Sequence, residues 1–195
     1  MTPEAWLDAH PMVKDIVGEI PPGCVLAHNG TWVGIVHGEQ TIMVWANLKK
    51  DPKHYEKRDA TMTQKWNKEE LKTWGHLGGH SLRGPGGYNG RWNLIPQLLE
   101  SNELQRLTCE DIVYKWLSKK VGVEILIMPI GGEDGIKNIA YHIRPHTKKV
   151  FSRTDIPNEV EGITKWRERA RNDRRNHRDP LSETLKHIDR NEAQR

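Results

Sequence analysis

The chain has 195 residues, 35% of them apolar, and carries 30 Lys and Arg against 26 Asp and Glu, for a formal charge of +4 and a pI near 9.0. That length suits one compact domain with polar extensions, and the basic balance points weakly toward polyanions, whose phosphate oxygens Lys and Arg bind with release of counterions. Cys24 and Cys109 form neither a CxxC unit nor a close pair, which argues against a disulfide framework or a thiolate zinc site and leaves two buried free thiols as the expectation.

The N-terminal stretch has no basic region followed by an apolar run, and no apolar segment reaches the length of about 18 residues that a membrane span needs. Synthesis in the cytoplasm without membrane insertion is expected, and delivery to another cell by a route other than a signal peptide stays open. Eight Trp stand against one Phe. Indoles supply large apolar area with a donor that needs a partner, so most belong to the core and some to its polar boundary.

Thr2-Pro3-Glu4 reads as a helix start, with Thr2 as N-cap and Pro3 at the first helical position. Pro11 interrupts that helix and Pro21-Pro22-Gly23 closes the segment. "CVLAHNGTWVGIV" and "TIMVWANL" are rich in β-branched and aromatic residues and bounded by Asn29-Gly30 and Gly38-Glu39, which predicts a β-meander from Cys24 to Leu48. Lys49 to Lys72 is highly charged without sustained periodicity and reads as loop, with an amphipathic turn ending at Trp74.

After a glycine-rich stretch, "PQLLESNELQRLTCEDIVYKWLSKKVG" has the strongest helical spacing, through Leu98, Leu99, Ile112, Val113, Trp116 and Leu117, with Gly122 as its stop. Thr108 three residues before Asp111 offers a second N-cap, which would split it into two helices. "VEILIMPI" and "IKNIAYHIRP", joined by "GGEDG", predict a hairpin. From Lys165 to Arg178 there are seven Lys or Arg against two acids. Such a run is a solvated helix face or tail, or a nucleic-acid arm formed by Lys165, Arg167, Arg169, Arg171, Arg174, Arg175 and Arg178. The division drawn from these features is a domain over 1–155 and a charged helical extension over 156–195.

The chemistry concentrates in "WGHLGGHSLRGPGGYNGRWNLIPQ", residues 74–97. Metal-assisted phosphodiester hydrolysis needs a base for water, a divalent cation on the scissile phosphate and a donor to the leaving oxygen. Histidine titrates near working pH, and a hard cation such as Mg²⁺ keeps several waters and needs few oxygen ligands. Histidine and asparagine are both present here, followed by Asn102.

The stretch resembles the His-Asn ββα-metal nucleases, and within that HNH-like superfamily the DNA/RNA non-specific endonucleases. Gly75-His76 matches the family's Gly-His, "SLRGPGG" resembles its glycine loop, and Asn93-Leu-Ile-Pro-Gln97 matches its Asn-x-x-Pro-Gln box. Asn102 follows Asn93 by nine residues and Glu110 follows Asn102 by eight, as in the family. The match covers roughly forty residues, 74–117, as one local motif rather than a whole chain.

The resemblance implies an α+β fold with a ββα-metal nuclease core: a strand pair presents the histidine, the next helix presents Asn102, and β-hairpins flank both. It implies His76 as general base, Asn102 as direct ligand of Mg²⁺ or Mn²⁺, Glu110 as acceptor for metal-bound water, and Asn93 as the residue orienting the base or its backbone. Gly79-His80 is a second Gly-His whose distance to Asn93 is close to that of HNH nucleases; His76 is favoured by the following Leu77 and the phase of "HSLRGPG". Thr73 and Trp74 stand where the family has Asp-Arg, so Arg83 or Arg91 is the candidate replacement for the arginine.

The expected activity is sequence-tolerant cleavage of DNA, with RNA as a second substrate, since backbone contacts carry no base information. A toxin with an immunity or inhibitor partner, a phage enzyme and a defence nuclease all fit it. Two other classes stay open: a nucleic-acid-binding module that has lost catalysis, and a phage or secretion-associated interaction protein.

Overall fold

The computed structural model describes residues 1–49, 72–79, 82, 84–85, 88–132 and 135–174. The predicted loop over Lys49–Lys72 lies outside these residues apart from its two ends, as do His80, Arg83, Arg175 and Arg178.

Two short helices open the chain, α1 (Pro3–Asp8) and α2 (Pro11–Val17). Thr2 caps α1 by accepting the Ala5 amide at 3.2 Å. Pro11 does more than interrupt: lacking an N–H, it occupies the first position of α2, where that donor would have no helical partner.

The meander follows as β1 (Val25–Asn29), β2 (Trp32–His37) and β3 (Gln40–Leu48). Asn29 pairs with Trp32 and His37 with Gln40, so each turn has two residues, and each begins with a glycine of positive φ, 58° at Gly30 and 57° at Gly38. That matches the hairpin turns whose twist suits paired strands. The second predicted hairpin is β6 (Val123–Gly132) with β7 (Gly135–Pro145). A strand that the sequence reading lacked, β8 (Ser152–Pro157), pairs with β7.

Together these strands form one antiparallel sheet in the order β1-β2-β3-β6-β7-β8. Alternation gives it two buried faces. Val33, Ile35, Met43, Trp45 and Leu126 pack under α1 and α2 with Trp6, Leu7 and Val13, while Trp32, Val44, Ala46, Ile125, Ile127 and Tyr141 face the opposite layer.

That opposite layer is inserted between β3 and β6. It consists of a two-stranded sheet, β4 (Lys72–His76) with β5 (Leu94–Leu98), then α3 (Leu99–Gln105), a π turn (Arg106–Glu110) and α4 (Asp111–Ser118). A 3-10 helix, Tyr88–Asn93, leads into β5. α5 (Val160–Arg174) ends the described chain, with Ile163 buried and Trp166 packed on the core.

Four expectations need correction. Leu94–Leu98 is a strand and the helix starts at Leu99, because a short apolar run buried on both sides lacks a period that separates strand from helix. Thr108 is no N-cap: its hydroxyl donates to the Leu104 carbonyl inside a continuous helical path. The helix stops before Gly122, with Lys120 taking a left-handed φ of 61°. Lys72–Trp74, expected as the end of a loop, belongs to β4.

Among the described Trp residues the boundary holds more than the expected minority. Trp6, Trp32 and Trp45 are buried, and Trp74, Trp92, Trp116 and Trp166 lie half-buried. Cys24 and Cys109 are free and buried. Burial pushes the Cys109 thiol up to about 12, against the lowering bond from Thr108, so it stays protonated and inert. Among the described residues no helix is long and apolar enough to cross a membrane.

Asn158 bolts the inserted layer to the large sheet. It is buried, its Oδ1 accepts the Leu98 amide at 3.0 Å, and its Nδ2 donates to the carbonyls of Pro96 at 3.0 Å and Ile136 at 2.9 Å. The Ser101 hydroxyl adds a bond to the Pro157 carbonyl at 2.6 Å. The first turn of α3 is thereby fixed to the end of β8. Asn158→Ala is expected to cost about 2–3 kcal/mol, since it strands several buried polar groups at once. A denaturant midpoint unchanged from wild type would contradict this.

Candidate active site

β4 and β5 pair antiparallel with His76 opposite Leu94 and Gly75 opposite Ile95, which sets His76, half-buried, at the end of β4. The Leu77 amide donates to the Asn93 carbonyl at 2.9 Å, extending the pairing one step beyond the ladder. The chain then turns through Gly78-Gly79.

Asn93 holds that turn. It is fully buried; its Oδ1 accepts the Gly78 amide at 2.7 Å, and its Nδ2 donates to the carbonyls of Gly78 at 2.9 Å and Pro85 at 2.8 Å. Both hydrogens of the amide are used, on two backbone acceptors. Its neighbour Trp92 lies over Gly34 so closely that a Cβ there would overlap the indole, and the Thr41 hydroxyl donates to the Trp92 carbonyl at 2.6 Å. The segment entering β5 is therefore seated on the β2–β3 hairpin.

Glu110 comes to the same turn from the helix. It is 4% exposed, and its carboxylate lies against Gly79, where a Cβ would overlap it. Gln105, wholly buried, joins the two sides. Its Nε2 donates to Glu110 Oε1 at 2.9 Å, to the His76 carbonyl at 2.6 Å and to the Leu77 carbonyl at 3.2 Å, while its Oε1 accepts Gln97 Nε2 at 2.8 Å. The Tyr141 hydroxyl, reaching over from β7, donates to the Leu77 carbonyl at 2.5 Å. Burial first, then the neighbouring Glu110 and Cys109, push the Tyr141 phenol well above its ordinary value, so it remains a donor.

Four predicted residues lie at this cluster or on the helix beside it, and a fifth, Arg91, does not. His76, Asn93 and Glu110 meet at the Gly78-Gly79 turn, directly or through Gln105. Asn102 is exposed on α3, one turn before Gln105 and on the same face by the i, i+3 relation. Arg91 points elsewhere: it pairs with Glu39 at 3.7 Å, with both side chains largely exposed. On the basic helix, Lys165 pairs with Glu161 at 2.5 Å and Arg169 is exposed.

The sequence reading missed Gln105 and Tyr141. Tyr141 carried a signal, since it shares the core face of β7 with Ile139 and Ile143 at a spacing of two. Gln105 carried only its spacing from Asn102.

No family model matches the chain, and no curated protein matches it in sequence. Solved structures do. NucA from Streptococcus agalactiae with magnesium bound aligns over 77% of this chain and 88% of its own, at 13% identity and a TM-score of 0.50. The same protein without metal aligns over 79% and 90%, at 12% identity and a TM-score of 0.50. Sda1 nuclease with bound zinc aligns over 67% and 76%, at 15% identity and a TM-score of 0.49. The chain thus shares the mixed helix-and-sheet fold of a solved nuclease.

Among the described residues no group of three or more His, Cys, Asp or Glu could enclose a metal, so a closed site of the structural zinc type has no support there. Asn102 presents an exposed carboxamide on α3 and Glu110 a buried carboxylate eight residues further along, and oxygen donors are the type that a hard cation takes.

Proposed function

We propose that the protein is a metal-dependent endonuclease that hydrolyses phosphodiester bonds of DNA, and of RNA as a second substrate, with little sequence preference. The observation that carries this reading is the meeting of the Glu110 carboxylate with the Gly78-Gly79 turn, bridged by Gln105 to the strand of His76. The shared fold with NucA, whose structure holds magnesium, supports it.

In this reading His76 takes the proton from the attacking water, with its backbone held by β5 and by Gln105. Asn102 offers a neutral amide oxygen to Mg²⁺ or Mn²⁺, and Glu110 an acceptor for the hydrating water. The bound cation would supply charge neutralisation at the scissile phosphate and at the leaving oxygen. Arg91 or Arg83 would steady the phosphate in place of the family's arginine, and the exposed Arg91–Glu39 pair is weak enough to give up Arg91. His80 is the alternative base.

Lys165, Arg167, Arg169, Arg171, Arg174, Arg175 and Arg178 would hold the nucleic-acid backbone. Because Ile163 and Trp166 pack on the core, charge removal is a cleaner test than truncation. Replacing Arg169, Arg171, Arg174, Arg175 and Arg178 by Gln is expected to raise KM and to flatten its salt dependence, by a slope of roughly 0.9 for each phosphate that is no longer neutralised. An unchanged salt slope would exclude the arm.

Plasmid degradation with Mg²⁺ and with EDTA tests the activity itself. Binding without metal-dependent cleavage would favour the inactive binding module, for which Thr73 and Trp74 in place of Asp-Arg are the supporting residues. An immunity or inhibitor partner belongs to the toxin version of this proposal.

A further inference from the structure

We propose that Gln105 is a positioning residue, whose carboxamide locks the Glu110 carboxylate and the His76–Leu77 carbonyls into one frame, so that the base strand and the acid keep a single separation. This rests on the nuclease reading above. Three observations carry it.

First, the orientation of the amide is fixed by its surroundings. Nε2 faces two carbonyls and a carboxylate, all acceptors, so turning the amide over would set oxygen against oxygen at every one of them. Gln97 then has to present its Nε2 to Gln105 Oε1. Its own Oε1 is left against Gly75 without a partner among the described residues.

Second, the bond between Gln105 and Glu110 depends on the π turn. In an α-helix, residues five apart stand about 140° from each other around the axis and do not meet. Here the Asp111 amide bonds the Arg106 carbonyl, five residues back, and this wider turn brings Gln105 and Glu110 to 2.9 Å. The helix is distorted at the place where the bond is made.

Third, the bonds of Gln105 join segments distant in sequence. Those to the His76 and Leu77 carbonyls span 29 and 28 residues. Removing this side chain releases the base strand and the acid together.

Outer partners of metal ligands typically contribute 10–100-fold in metal affinity or activity. Gln105→Met, of similar length but without a donor, is therefore expected to weaken Mn²⁺ binding, or to lower kcat, by about 10–100-fold, with KM for DNA within about twofold. In wild type the Gln105 side-chain NH₂ resonance, read by NMR, is expected to move in step with Mg²⁺ saturation. That measurement decides the matter if the Met variant does not fold.

A Met variant that binds Mn²⁺ and turns over as wild type, with only a lower Tm, would overturn the proposal. So would an NH₂ resonance that ignores Mg²⁺ while the metal binds. Wild-type protein that neither binds Mn²⁺ nor cleaves DNA overturns the nuclease reading and this role with it, whereas active wild type beside an unaffected variant overturns this role alone.

Discussion

His76→Ala is expected to lower Mg²⁺-dependent plasmid cleavage by about 10²–10⁴-fold, the range a positioned general base contributes. His76 half emerges at the end of β4, and its carbonyl, not its ring, receives the Gln105 bond. The ring therefore carries no described structural duty through that bond, and its removal should leave Tm within a few degrees of wild type. His80→Ala is the control that separates the two Gly-His pairs. Loss of cleavage in His80→Ala alone would transfer the role of base to His80, and loss in neither would remove the histidine mechanism. Asn102→Ala should abolish cleavage with little change in stability, because Asn102 is exposed on α3. The three variants and EDTA form one experiment.

Asn93→Ala is expected to destabilise the protein by about 3–5 kcal/mol, more than Asn158→Ala. The change strands the Gly78 amide and the Gly78 and Pro85 carbonyls, all bonded to a fully buried amide, and each stranded group costs roughly 1–3 kcal/mol. Asn93→Asp should be at least as damaging. It keeps the acceptor for Gly78 but turns the donor into a second oxygen facing two carbonyls. The measurement is the shift in denaturant midpoint at unchanged m. Aspartate tolerated at position 93 would show that the described carboxamide bonds do not hold the turn.

The two substitutions divide the motif. Asn93 and His76 sit in one sequence pattern, yet the described bonds of Asn93 go to the backbone of the turn, while His76 is half-exposed beside that turn. Activity of Asn93 variants must therefore be compared at temperatures where they remain folded.

Local chemistry determined much of this protein in advance. Thr2-Pro3 specified a capped helix start, a glycine opened each tight turn of the meander, and alternation in β2, β3, β6 and β7 sorted side chains onto two faces. The spacing of Asn93, Asn102 and Glu110 drew attention to one stretch. These features depend on interactions between near neighbours, so they can be read from near neighbours.

Only the tertiary structure decided the rest. Leu94–Leu98 became a strand, Pro96 included, because Lys72–Leu98 through His76–Leu94 could pair and because Asn158, some 60 residues on, holds Leu98 and Pro96. The π turn, the approach of Glu110 to Gly79 and the bridge from Gln105 to His76 likewise join parts of the chain that no local period relates. A glutamine three residues after an asparagine looks like any polar helix position. Burying it between two carbonyls and a carboxylate, whose desolvation must be offset by its two N–H groups, is what gives it a role.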